Sequence, residues 1–85
     1  ADPSYAEAWY QAGYCYGVLG RHEEALKASR QAAKLRPDWA PAHVNIGVSS
    51  YAVGQFKEAA EAYRTAIRLG DASPETQYAL GLSLG

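Results

Sequence analysis

The chain contains the segment EALKASRQAAKL at residues 24–35 and the related segment EAAEAYRTAIRL at residues 58–69, which begins 34 positions later. Half of the aligned positions are identical in the two copies, and the same shift relates Gly13 to Gly47 and Gly47 to Gly81. Internal similarity at a fixed period of about 20–50 residues is typical of proteins built from stacked structural units. The repeat therefore predicts a stacked architecture before any single element is considered.

The bulk composition excludes several classes of protein. The chain has 85 residues, a net charge of −1 and one cysteine, Cys15, and its pI is near 6.1. This slightly acidic charge argues against a surface that binds nucleic acid, because such a surface is normally basic. The sequence contains no apolar run of about 18 residues, so we expect no membrane partner, and it shows no signal-peptide pattern. A single cysteine cannot form an internal disulfide, so the compartment is left undetermined, with the cytoplasm slightly favoured.

Glycine and proline divide the chain into five predicted helices. The predicted bounds are about 5–19, 22–35, 38–54 including an Asp38 cap, 56–69 and 74–84. Ser4 with Glu7 forms a capping-box pattern at the first helix, and Ser73 before Pro74 predicts an N-cap followed by proline in the first turn. Gly20 is expected to end the first helix in a left-handed conformation. We interpret the opening without methionine as that of an excised fragment.

Charge separates the predicted helices into two kinds. Seven charged residues lie within 21–36 and five within 55–69, whereas the first, third and fifth helices carry at most one each. A helix with one charged face forms an outer wall, and a helix that is apolar on most sides is buried or lines a groove. Six of the seven tyrosines lie on the apolar helices. The pattern predicts antiparallel pairs, each with one outer charged helix and one inner apolar helix.

The sequence resembles the tetratricopeptide repeat family. The resemblance rests on Trp9-x2-Ala12-Gly13-x2-Tyr16 followed by Gly20, Ala25, Ala32 and Pro37, and in the second copy on His43-x2-Ile46-Gly47 followed by Gly54, Ala59, Tyr63 and Ala66. The sequence departs from the family pattern at Ser29, His43, Ser50 and Asp71. Trp9 is expected to lie across from Ser29, so Ser29→Tyr is expected to overpack the first repeat.

The resemblance implies an all-α fold, a right-handed α-solenoid of antiparallel helix pairs with five helices. Within a single domain, 1–85, it implies repeat 1 at 5–37, repeat 2 at 38–72 and the first helix of a truncated repeat 3 at 73–85. It also implies a protein–protein interaction module whose concave groove binds a peptide or helix of a partner protein. The predicted ligand-binding residues line that groove: Tyr10, Gln11, Tyr14, Val18, Val44, Asn45, Val48, Tyr51, Tyr78 and Leu82.

Family members that grip a terminal carboxylate use lysine, arginine and asparagine at fixed groove positions. The matching positions here hold Tyr10, Tyr14, Asn45, Glu75 and Ala79. Only the asparagine fits, so we predict that the carboxylate clamp is absent. Asn45 is expected to bond the main chain of the ligand, a role that the resemblance implies for this position.

The sequence contains no constellation that predicts catalysis. His22 and His43 have no partner at metal-ligand spacing, Cys15 has no orienting group, and the glycines are not arranged as a phosphate loop. We therefore predict a protein that is not an enzyme, with no cofactor and no metal.

Two other functions are compatible with the same repeats. The fifth helix lacks a partner, so an exposed face with Leu80 and Leu84 would favour self-association as a homo-oligomer. The repeats also resemble the targeting arm of a larger enzyme such as an O-GlcNAc-transferase-like glycosyltransferase, although such arms repeat asparagine where this chain has Gln11 and Ala79 beside Asn45. The period of 34 and the charge oppose the related helical repeats that bind RNA.

Overall fold

The computed structural model describes residues 3–71 and 73–84, which form five α-helices joined by short turns. The helices are α1 (Pro3–Val18), α2 (His22–Leu35), α3 (Ala40–Ala52), α4 (Phe56–Arg68) and α5 (Pro74–Leu84). No strand occurs within these ranges. The all-α prediction is confirmed, and the bounds of α2 and α5 agree with those expected from the sequence.

The caps predicted for the helix starts have mixed outcomes. Ser73 caps α5 as predicted, because its Oγ accepts a hydrogen bond from the Thr76 amide at 3.3 Å. The Asp38 cap is wrong: Trp39 is the residue before α3, and no side chain caps that helix. The predicted Ser4 cap lies outside what the structure describes, because the Ser4 side chain is not among the described ones. At α3 the helix begins two residues after Asp38, away from the position that a cap requires.

The two helix pairs close with the same turn geometry. Gly20 and Gly54 follow α1 and α3 with φ angles of 80° and 85°, a region that glycine enters without strain. The next amide then donates to a carbonyl five residues earlier, at 2.8 Å from Arg21 to Tyr16 and 2.8 Å from Gln55 to Ser50. This arrangement satisfies carbonyls that a helix end leaves free. It reverses the chain sharply and allows the following helix to pack antiparallel.

The helices stack in chain order. α1 packs on α2, α2 on α3, α3 on α4 and α4 on α5, and α1 also touches α3. The contact between the two pairs is built around Leu26, Ala42, Ile46 and Ala62, which are all buried. Small side chains dominate this core, so the helix axes approach closely and the packing depends on few large residues.

One glycine in each pair sits directly under a side chain of the partner helix. A β-carbon placed on Gly13 would lie 2.7 Å from the Ser29 Oγ, and one on Gly47 would lie 2.6 Å from Cε1 and Cζ of the Tyr63 ring. Both distances are shorter than a real Cβ contact. The glycine period found in the sequence therefore marks the closest approach of each helix pair.

The charged helices α2 and α4 are joined by an ion pair between the repeats. Arg30 donates to both carboxylate oxygens of Glu58, with Nε to Oε2 at 2.9 Å. This hydrogen bond, helped by the charge of Glu58, raises the pKa of the Arg30 guanidinium. The two side chains remain 48% and 31% exposed. An exposed pair of this kind aligns the outer helices but adds little free energy of folding.

Candidate functional site

Two cavities open side by side along the surface formed by α1, α3 and α5. The first groove cavity has a volume of about 210 Å³ and is lined by Gly13, Tyr14, Gly17, Val18, His22, Asn45, Val48 and Ser49. The second groove cavity has a volume of about 200 Å³ and is lined by Val48, Tyr51, Tyr63, Ala79 and Leu82. Val48 forms a wall of both cavities, so they make one continuous, mostly apolar surface.

The structure brings six of the ten predicted site residues into these cavities. Tyr14, Val18, Asn45 and Val48 line the first, and Val48, Tyr51 and Leu82 line the second. Tyr14, Val48 and Leu82 are 34 positions apart and recur at the same place on successive helices.

The other four predicted residues lie outside the two groove cavities. Gln11 and Tyr78 are exposed on α1 and α5, and Tyr78 has 71% of its surface accessible. Tyr10 and Val44 line a separate depression of about 440 Å³ beside Asp71. The Tyr10 ring packs on Trp39 with their centroids 5.0 Å apart, so part of its surface serves the contact between repeats.

Asn45 is positioned as a polar group at the edge of the first groove cavity. Its amide nitrogen donates to the main-chain oxygen of Tyr10 at 3.4 Å, a long hydrogen bond. A side-chain amide can make up to four hydrogen bonds, so this contact uses a small part of its capacity. Most of the hydrogen-bonding capacity of the Asn45 amide is therefore not used by this contact.

Tyr63 and Tyr51 give the second groove cavity its floor and wall. Tyr63 is 3% exposed and lies on Gly47, while Tyr51 is 41% exposed. Tyr51 packs edge-on against Phe56 with centroids 5.1 Å apart. Burial raises the pKa of the Tyr63 hydroxyl, and the nearby Tyr51 raises it further. The ring therefore stays neutral near pH 7 and acts as an apolar floor.

Sequence reasoning missed the floor of both cavities. Gly17 and His22 were not predicted as site residues, and Tyr63 was treated as a position of the family pattern. The Nδ1 of His22 is buried and has no hydrogen-bond partner within the described part of the chain. Trp9, expected across from Ser29, does not line the first groove cavity. Comparing the two repeats residue by residue for size would have pointed to Gly17 and Tyr63.

The residues that line the two groove cavities are uncharged at pH 7, with histidine counted as neutral. No lysine or arginine lines either groove cavity. Among residues 3–71 and 73–84, no three side chains of histidine, cysteine, aspartate or glutamate come together as a metal site would require. The helices described here also include none with the length and apolar character needed to cross a bilayer.

Comparison with known proteins identifies the repeat. Family models of the tetratricopeptide repeat match residues 6–38 and residues 40–72. Together they account for both helix pairs, α1 with α2 and α3 with α4.

Curated relatives share the same region. The chain is 35% identical to a peroxisomal targeting signal receptor of Candida glabrata over 74 residues, which is 87% of this chain and 12% of that protein. It is 37% identical to the protein of that name from Saccharomyces cerevisiae over 59 residues, 69% of this chain and 10% of that protein. It is 28% identical to small glutamine-rich tetratricopeptide repeat-containing protein 2 of Mycosarcoma maydis over 54 residues, 64% of this chain and 15% of that protein. The chain thus spans a small share of the length of these relatives.

Proposed function

Because the chain belongs to the tetratricopeptide repeat family, we propose that the surface of α1, α3 and α5 is a groove that binds an extended peptide or a helix of a partner protein. The observation that carries the proposal is the pair of adjoining cavities that share Val48. Their walls repeat every 34 residues, so they present equivalent pockets to successive side chains of one ligand.

The chemistry of the groove favours an apolar ligand. Both cavities are lined almost entirely by apolar atoms and by tyrosine rings, which offer a large contact area at low cost in side-chain entropy. Among the described residues that line the two cavities there is no lysine or arginine, which supports a ligand that is not held by a carboxylate clamp. Asn45 supplies one main-chain hydrogen bond, and side chains of the peptide enter the cavities. The relatives named as receptors of a targeting signal support a short peptide segment as the ligand class.

A peptide-library experiment tests the groove. Randomised peptides displayed on phage would be selected on the purified chain, and the affinity of the selected peptides would be measured by fluorescence anisotropy. We expect Tyr14→Ala to weaken binding, because Tyr14 lines the first groove cavity. Tyr5→Ala is the matched control, since Tyr5 is equally exposed on the same helix, at 63% against 59% for Tyr14, and lines neither groove cavity. Equal affinities for the two variants would place binding elsewhere.

Self-association through α5 is a second candidate function. Leu84 is 57% exposed, while Leu80 is half-buried. The face of α5 that would meet an outer helix is thus open. Sedimentation velocity across a range of protein concentrations would reveal a dimer, and Leu84→Glu should then restore the monomer. A monomer at every concentration would reject this candidate.

The repeats could also act as the targeting arm of a larger glycosyltransferase. That alternative would use the same groove with an asparagine on each inner helix. Asn45 is the one such residue at the three equivalent positions, since the others hold Gln11 and Ala79. The groove contacts therefore favour the apolar peptide over this alternative.

A further inference from the structure

The two groove cavities occupy equivalent places in successive repeats but are lined by different side chains. Shifting the first by 34 residues carries Tyr14 to Val48 and Val48 to Leu82, so the walls correspond. The same shift carries Gly17 to Tyr51 and Ser29 to Tyr63. The first repeat therefore lacks both aromatic rings that shape the second groove cavity.

The first groove cavity has a glycine at the position where the second has an aromatic ring. In the second repeat the ring of Tyr63 lies directly on Gly47 and closes the floor. In the first repeat the Ser29 hydroxyl, which donates to the Ala25 carbonyl at 2.8 Å, takes the place above Gly13. The first groove cavity is lined by Gly17, which stands at the position that carries Tyr51 in the second repeat.

The size and lining of this space fit one aromatic ring. The cavity has about 210 Å³, and an apolar protein cavity of about 150 Å³ is known to hold benzene. Gly17 leaves open space in the cavity wall, because a β-carbon placed on it would meet no atom within 4 Å. No charged side chain lines the cavity.

We propose that the first groove cavity receives an aromatic side chain of the bound peptide, a phenylalanine or a tyrosine. The ring lies between Tyr14 and Val48 beside Gly17, the position at which the second repeat carries the ring of Tyr51. This deepens the proposed function, because it rests on a peptide in the groove and specifies one residue of that peptide.

A direct test uses p-cresol, the side-chain analogue of tyrosine, and isopentanol as an aliphatic control, each titrated into the chain and followed by two-dimensional NMR. We expect p-cresol to shift the amide signals of Gly13, Gly17 and Val48 and to bind about tenfold more tightly than isopentanol. Shifts confined to other residues, or equal affinities for the two compounds, would overturn the proposal.

A pair of variants tests the cavity. Gly17→Leu adds a side chain at an open position, so it should fold normally and weaken p-cresol binding by about tenfold or more. Gly81→Leu is the matched control, since Gly81 also lies in a helix with no atom near its β-carbon position and lines neither groove cavity. Unchanged binding in Gly17→Leu would reject the proposal.

The peptide selection separates this inference from the function on which it depends. If selected peptides lose affinity with Tyr14→Ala but show no aromatic preference and ignore Gly17→Leu, the groove function stands and the aromatic pocket is rejected. If p-cresol binds as expected but no peptide does, the cavity stands and the peptide-binding function is rejected.

Discussion

Replacing Gly47 by alanine tests the close approach of α3 and α4 on which the second repeat depends. The new methyl group would lie 2.6 Å from two ring carbons of Tyr63, whose side chain is 3% exposed, so the ring must shift from its packed position. Forcing a methyl group into a packed site costs about 1–3 kcal/mol, whereas alanine in place of a helical glycine gains about 0.5–1 kcal/mol. We expect the free energy of unfolding to fall by about 1–2 kcal/mol on balance.

Thermal unfolding followed by far-ultraviolet circular dichroism measures this effect. For a domain of this size a change of 1 kcal/mol shifts Tm by about 4–8 °C, so Gly47→Ala should lower Tm by a readily measured amount. Gly81→Ala is the matched control, because it lies 34 residues later on α5 with open space at its β-carbon position. It should raise Tm, since only the helix propensity changes.

A double-mutant cycle identifies the ring as the cause. Tyr63→Ala removes the ring carbons with which the new methyl group collides, and it avoids the hydroxyl that lies 2.7 Å from the equivalent β-carbon position at Gly13. In that background Gly47→Ala should no longer be destabilising. If Gly47→Ala raises Tm as much as Gly81→Ala, or if the two changes at Gly47 and Tyr63 are simply additive, the close contact does not constrain this site.

Three further predictions follow from the side-chain contacts. Replacing Arg30 and Glu58 by alanine, singly and together, should give a coupling energy below about 1 kcal/mol, because the ion pair is exposed. The coupling energy should become smaller at high salt, and urea unfolding with and without added salt measures it. The Ser73 amide and then the Thr76 hydroxyl donate to the Asp71 carboxylate and hold its pKa below the usual value. The ionised carboxylate therefore stabilises the fold above about pH 4, and this stabilisation is lost as the pH falls further. The difference in Tm between wild type and Asp71→Asn should accordingly become smaller at acidic pH. Ser29→Tyr should overpack the first repeat and lower Tm, as expected from the sequence, because Ser29 is fully buried and lies against Gly13; a clear rise in Tm would contradict this.

The sequence was sufficient where the determining signals are local. Helix α2 from His22 to Leu35 and helix α5 from Pro74 to Leu84 have the bounds predicted from glycine, proline and apolar spacing. The Ser73 cap was also predictable, because an N-cap involves residues only three positions apart. The Asp38 cap failed since α3 begins after Trp39, whose ring packs on Tyr10 in the neighbouring helix. At this helix start a tertiary contact is present, and the local sequence pattern did not predict the first residue of the helix.

By itself, then, the sequence determined the number, order and charge of the helices and the 34-residue period at which they stack. The shape of the groove was decided only by the tertiary structure. How much space remains beside Gly17 depends on atoms from α1, α2 and α3 that are far apart along the chain. Periodicity reports which face a residue occupies, but the volume left between three helices depends on the combined size of all the side chains that meet there.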